Sequence, residues 1–430
     1  MKNFLQKHIV VLFLTCLVVL TTIVSRWVIG YLPFSGLISK ICTVLSYLPF
    51  ALLILWKLIC DIRKPKKDFL FWCYYLFALY YVAISVYRFC TGGEIKENLY
   101  YTLIFFGAVA LFDLYQRKLF PFARSELNTD MYIFSGILVG YRIFYLLFIE
   151  RILWHSPINE IALGACVLVL LPIAFHGLRN THSIRAGLPF GLLISGICFV
   201  ILTLGSRAVF AICGIGLIPL ILSCIKNKRA LLISLGGVAC AIAVVIALFA
   251  LNTGTVRYAV FRETQLAFLG DMIENSSAGS EDDSEVVDIA EGQISRSDHM
   301  RDNLAKYSLE QIRKNPWIGT GDVMFEHTYN QQTQTINAPP HNIFLQTLNC
   351  YGILGLLQVG LILICMLIKT GLFHFRDRKW EDRIGLLMLL AGFFGISLIQ
   401  ATAYDMLVLP IMVLSMLVFS NTLSEQATEA

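Results

Sequence analysis

Long runs without a charged side chain recur along the whole chain, and no other feature constrains its fold as strongly. About twelve such stretches, each near the roughly 20 residues that a helix needs to cross a bilayer, centre on 9–29, 41–60, 69–87, 98–115, 131–149, 160–178, 187–205, 208–225, 231–251, 343–368, 385–404 and 407–421. In lipid every backbone N–H and C=O must find its partner inside the protein, which leaves helices or closed barrels. A barrel needs short alternating segments, and the runs here are continuous. With 57% of residues hydrophobic and 15% charged, the chain also lacks the polar surface of a soluble domain. The expected fold is all-α and polytopic, with about twelve transmembrane helices. Only Ser206-Arg207 interrupts the apolar run 187–225, so one helix or two are both compatible with it.

The Lys and Arg residues orient these helices. With the N-terminus inside, the cytoplasmic connections hold Lys2, Lys7, Arg63, Lys64, Lys66, Lys67, Arg117, Lys118, Arg124, Arg179, Arg185, Lys226, Lys228, Arg229 and five more between Lys369 and Arg383. That is about 19, against about 6 in the short outer connections, a bias that sets both termini in the cytoplasm. The first helix shows no cleavage site and reads as retained. Lys57 and Asp113 lie near cytoplasmic helix ends and read as snorkelling. The net charge of +5 follows from these loops and carries no signal for nucleic acid. Most of the 12 cysteines fall in apolar stretches, without disulfide or zinc spacing.

Between the apolar stretches the chain divides into 1–251, a bundle of about nine helices, then 252–342, then 343–430 with the last helices and a tail. The middle part is too long for an ordinary connection and lies on the extracytoplasmic side. Its first segment, 255–273, is amphipathic and suited to the interface. The acidic 275–293 reads as a solvated linker, and Glu281-Asp282-Asp283 lacks the fixed spacing of a calcium loop. A helix is expected from Ser297, with Met300, Leu304, Tyr307 and Ile312 as its apolar stripe, ended by Asn315-Pro316. A glycine-punctuated turn and a polar stretch follow, and the chain re-enters the membrane at His341.

Three motifs in this part of the chain resemble one family. "RDNLAKYSLEQIRKNPWIGTGDVMF", "HNIFLQTLNCYGILGLL" and, upstream, "LGSRAVFAICGIGLIPLIL" are similar to the arginine-started helix with its N-P-x-x-G-x-G turn, the H-N-x-x-L-Q helix start and the S-R motif of the O-antigen ligase and O-antigen polymerase superfamily. Ala305 stands where that family often has an aromatic residue, and Cys350 where it often has an acid. The resemblance implies a membrane glycosyltransferase-C-like enzyme. It also implies glycosyl transfer from a polyprenyl-diphosphate-linked oligosaccharide donor to an acceptor glycan, with neither metal nor cofactor. Polymerisation of repeat units is the leading expectation. Ligation of a finished glycan to another acceptor is the alternative, and a lipid-linked oligosaccharide flippase the rival from a different class. A flippase and a chain-length regulator are the expected protein partners.

Physical chemistry gives the motif residues roles. A diphosphate leaving group without a cation needs protein donors, and the guanidinium fork suits phosphate oxygens. Arg207 and Arg301 are the candidates, against plainer roles as an interfacial anchor and a solvated helix charge. His341 is the candidate base for the attacking hydroxyl; at a helix N-terminus it is held in the neutral form that accepts a proton. Asn342 serves as helix cap and candidate substrate contact. Arg142, inside an apolar stretch, must face a cavity or a partner. It reads as a third donor-site charge or as the partner of an acid such as Asp113. Gly352 and Gly355 are expected to let helices pack closely. On this map a cysteine introduced at Ser284 reacts with a membrane-impermeant maleimide on intact cells, above the level of the parent protein. Labelling that requires lysis reverses the orientation.

Overall fold

The computed structural model describes residues 7–22, 35–91, 96–119, 126–149, 160–251, 256, 302–321, 325–328, 335–338, 340–371, 380–399 and 405–429. The described part of each apolar stretch lies mainly on a helix: α1 (Ile9–Thr22), α2 (Ser35–Arg63), α3 (Phe69–Thr91), α4 (Lys96–Gln116), α5 (Leu127–Phe144), α6 (Glu160–Arg179), α7 (Ile184–Leu202), α8 (Arg207–Leu222) and α9 (Lys228–Ala250), then α11 (Ile343–Lys369), α12 (Trp380–Ile399) and α13 (Val408–Glu429). Among the described residues eight helices are long and apolar enough to cross a membrane. The segments 9–20, 207–222 and 408–420 are apolar but shorter. The run 187–225 resolves into two helices, because Gly205 turns the chain at φ 67° between α7 and α8. Outside the apolar stretches, α10 (302–314) ends at Asn315 as the proline predicts.

One departure from an all-helical reading lies in the polar stretch before His341. Strands β1 (Phe325–Thr328) and β2 (Thr335–Ala338) pair antiparallel, Phe325 opposite Ala338 and Thr328 opposite Thr335. The stripe on α10 also differs. Leu304 and Ser308 are buried while Tyr307 is half exposed, so the buried line follows the four-residue spacing from Leu304 rather than passing through the tyrosine. Residues 255, 257–301 and their expected amphipathic, acidic and capping features lie outside the described residues.

The helices form two compact units. The first comprises Met1–Met131, Asn303–Lys379 and Ser397–Ala430. In it α2 packs on α4, α4 on α13 and α3 on α11. Ala108 to Leu114 of α4 and Val408 to Phe419 of α13 are buried, whereas Leu79 and Phe89 of α3 point outward, as lipid-facing side chains do. The second unit comprises Tyr132–Asp302 and Trp380–Ile396. Its centre is α6, buried from Ala162 to Leu178, with α7, α8 and α9 around it. Leu192, Ile215 and Leu232 face outward there.

Within each unit, contacts join helix ends that an alternating path through a membrane would bring to one level. In the first unit Lys369 at the end of α11 pairs with Asp68 before α3, and Gln116 at the end of α4 donates to the Lys369 carbonyl. Burial pushes the Asp68 carboxyl up, but the Lys369 ammonium and the Phe71 N–H more than offset that and hold it below its usual range. In the second unit Arg179, ending α6, donates to Asp382 and to the Glu381 carbonyl at the start of α12, at 2.8 and 2.7 Å. His176 lies 3.1 Å from the same Asp382 carboxylate, and Lys226 pairs with Glu381 at 2.9 Å.

Lys57 and Asp113 do not snorkel. Lys57 is 1% exposed. Its ammonium lies 2.8 Å from Asp61 and 2.6 Å from Asp113. Arg117 bridges the same two carboxylates and donates to the Lys64 carbonyl, and the Tyr75 hydroxyl donates to Asp61. Two cations thus face two anions in a buried knot linking α2, α3 and α4. Removing one partner of a buried ion pair typically costs about 3–5 kcal/mol, whereas replacing both by apolar groups is often neutral. Lys57→Met and Asp113→Asn should each lower the melting temperature in detergent. The double variant Lys57→Met/Asp113→Leu should recover most of the loss, and a double variant as unstable as the sum of the singles would show that the pair is not the unit of stability.

Candidate functional site

The start of α11 is built by the two residues singled out in the sequence. Asn342 is its N-cap, accepting from the Phe344 and Leu345 N–H groups at 2.9 and 3.2 Å. Its amide nitrogen donates to the Leu398 carbonyl at 3.0 Å. Both ends of the Asn342 side chain, expected at the substrate, are therefore engaged by the fold. His341 directly precedes the cap and is half buried, beside the buried Pro340, whose carbonyl accepts from the Asn342 N–H. His341 thus stands just before the N-terminal end of the helix.

Two and a half turns later α11 breaks. Gly352 has φ 67° and ψ −170°, inside what is otherwise one helix. The sequence suggested a glycine for close helix packing, and the structure uses it for a left-handed break with a loop pressed against it. An ideal helix would send the Ile353 and Leu354 N–H groups to the carbonyls of Asn349 and Cys350. Here they donate to Pro316 and Trp317 instead, at 2.9 and 3.3 Å. The freed carbonyls find other donors. The Gly321 N–H binds that of Asn349 at 2.9 Å. Arg88 and Asn98 bind that of Cys350 at 2.7 and 3.1 Å, and the Tyr80 hydroxyl binds that of Tyr351 at 2.5 Å. The N-P-W-I-G-T-G turn is thereby spliced into the helix.

Only glycine fits at the contact. A Cβ on Gly352 would collide with the Trp317 carbonyl, and one on Gly319, φ 68°, with the carbonyls of Leu348 and Asn349. Arg88 reaches the splice from α3 and is 4% exposed. The same Arg88 nitrogen also donates to the carbonyls of Ile318 and Gly319, at 2.8 and 3.2 Å. A Cβ on Gly321 would lie 2.8 Å from its guanidinium. Arg88, Asn98 and Tyr80 were not expected. Their partners are main-chain carbonyls far along the chain, for which a sequence carries no code. On the other side of the turn, Asn349 donates its amide to Ser308 of α10.

The remaining candidates lie in the second unit or outside the described residues. Arg207 opens α8 after the Gly205 turn, with Ser206 in the N-cap position but making no side-chain cap bond. Arg142 is fully buried and donates to the Thr203 carbonyl and, at 3.4 Å, to the Thr203 hydroxyl. It also lies 3.8 Å from Glu160 and over the Tyr145 ring. The carbonyl end of α7 and Glu160 thus supply the partner that a charge in an apolar segment requires, whereas Asp113 is engaged by Lys57 and Arg117. A π-helical turn, Tyr145–Ile149, follows Arg142 directly. Arg301 lies outside the described residues.

These features define a polytopic α-helical membrane protein in which a loop motif completes a broken helix that starts just after a histidine. Residues 190–360, which include all three motifs, match the O-antigen ligase family, and this match supports the O-antigen ligase/polymerase-like superfamily for the chain. The family is glycosyltransferase-like and suggests ligase- or polymerase-type activity on lipid-linked glycans at a bilayer. No curated protein matches the chain.

The splice makes a local test available. Gly352→Ala puts a side chain in a backbone region that is essentially glycine's alone, at a cost of about 1–3 kcal/mol, and adds a clash with Trp317. Hydrogen exchange of the 317–321 amides should then accelerate well beyond that of α6. Unchanged protection at 317–321 would show that the turn does not depend on the break.

Proposed function

We propose that the protein polymerises lipid-linked oligosaccharide repeat units into a surface polysaccharide, on the outer face of the cytoplasmic membrane. The observation that carries this reading is the splice. The family's loop motif is fixed to the helix that presents His341, so the loop and the histidine act as one body. In the proposed step an acceptor hydroxyl oxygen attacks the anomeric carbon of the donor sugar. The bond from that carbon to the phosphate oxygen breaks, and polyprenyl diphosphate leaves. The hydroxyl proton passes to the His341 imidazole. Arg207 and Arg301 meet the diphosphate charge with bidentate donors, which removes the need for a cation. Asn342 serves the histidine by fixing its backbone through the cap. Arg142 serves the S-R turn through the Thr203 carbonyl.

Ligation to a different acceptor uses the same groups and stands as the second reading, since the family match covers both activities. The test is glycan formation from purified lipid-linked repeat units. His341→Ala should lose about 10²–10⁴-fold in rate, the usual contribution of a general base, while donor binding persists. His341→Gln should not rescue, because an amide does not take up the proton. Arg207→Lys and Arg301→Lys should retain little activity, since lysine keeps the charge and loses the fork. Transfer should survive EDTA. Near-normal rates for His341→Ala would reduce the histidine to a structural role, and a single transfer to a foreign acceptor without chain growth would favour the ligase.

A further inference from the structure

Gln346 is the fourth residue of α11, one turn past the Asn342 cap that follows His341. Its side chain is fully buried, and neither its Oε1 nor its Nε2 has a hydrogen-bond partner among the described residues. One turn further, Asn349 is also fully buried. Its nitrogen is taken by Ser308, but its Oδ1 has no partner there. Residues three apart share a helix face, so an amide and a second amide oxygen line one stripe running from the break toward His341. The neighbouring polar groups are answered. The Thr347 hydroxyl donates to Ile343 at 2.7 Å, the Tyr351 and Thr102 hydroxyls meet at 2.8 Å, and Asn342 is engaged at both ends. A buried amide left unmatched is costly, and folds rarely keep one without a use.

We propose that Gln346 binds adjacent hydroxyls of the glycan substrate, next to the hydroxyl that His341 deprotonates; this rests on the glycosyl-transfer reading. The chemistry selects the ligand. A primary amide offers an acceptor oxygen beside a donor nitrogen, and a sugar diol both donates and accepts. A diphosphate only accepts, so it would leave the oxygens of Gln346 and Asn349 facing negative charge. A polyprenyl chain would satisfy none of the three atoms. Since Gln346 is buried in the free protein, the sugar reaches it through side-chain movement of the kind common at binding surfaces.

The experiment uses the full chain in nanodiscs with polyprenyl-diphosphate oligosaccharide extracted from the source cell's own membranes. Gln346→Met keeps length and shape without hydrogen bonding, and Gln346→Glu keeps the acceptor without the donor. Because no bond to a described residue is lost, Gln346→Met should melt at or above the wild-type temperature. Its KM should rise about tenfold, the worth of two neutral hydrogen bonds, with kcat within about threefold, as expected when uniform binding is removed. Gln346→Glu should raise KM as well, and substrate should protect both variants from melting less than it protects wild type. An unchanged KM in Gln346→Met overturns the proposal, as does a lowered melting temperature or a failure to fold, since each would assign the amide to the fold or to a structural water. A wild type that makes no glycan, or makes it regardless of His341→Ala, instead condemns the glycosyl-transfer reading itself.

Discussion

A helix broken inside a membrane must hand its freed backbone groups to other donors and acceptors, because no water is there to take them. At Gly352 groups from elsewhere in the chain take up this role. Two N–H groups of α11 go to the Pro316-Trp317 carbonyls, and the carbonyls of residues 349 to 351 go to Gly321, Arg88, Asn98 and Tyr80. Each bond is modest by itself, about 0.5–1.5 kcal/mol net. Leaving any one unmade in an apolar setting costs more. The penalty for undocking the turn therefore exceeds the sum of its contacts, and the loop is held to the helix by what its departure would expose.

The buried charges obey the same rule in another form. Arg88 and Arg142 each spend donors on main-chain carbonyls at a helix break or C-terminal end, Cys350 and Thr203. An arginine there serves as a cap that arrives from a neighbouring helix, and the negative end of a helix or turn favours its charge. Lys57 and Arg117 instead neutralise Asp61 and Asp113 directly. Charge in this protein fixes where helix ends lie, and apolar area fills the space between them.

The helices were legible because they depend on local pattern. A run of about 20 apolar residues commits to a helix whatever it packs against, and Asn315-Pro316 stops α10 without tertiary help. Gly352 was misread for a physical reason. A G-x-x-G seam in an apolar run looks the same whether it admits a neighbouring helix or a left-handed break, and only the loop pressed against it separates the two. Lys57 near a helix end likewise reads as a snorkelling lysine until an acid 56 residues away on α4 is brought beside it. The hairpin after α10 was hidden by its polar composition, although the Thr-Ile-Asn alternation of β2 carried a weak strand signal. At the site, His341 and Asn342 stood out by type and spacing, whereas Gln346 sat in the same motif without a role. An unmatched amide is visible only when its surroundings are.

The break also bears on how a base could be placed. A histidine on a free loop samples many positions, and proton transfer tolerates little misplacement, since about 1 Å can cost a hundredfold in rate. Residues Ile343 to Tyr351 form a short helical block fixed at both ends. At its start Asn342 ties it to the Leu398 carbonyl, and at its end Arg88, Asn98 and Tyr80 tie it to α3 and α4. A continuous helix would place His341 by the tilt of a 27-residue rod, so that small movements at its far end would swing the imidazole. Interrupting the rod at Gly352 and clamping the short piece uncouples the histidine from that lever. On the proposed reading, the loop motif thus contributes to catalysis through rigidity: it turns the start of a membrane helix into a mount for the histidine that precedes its cap.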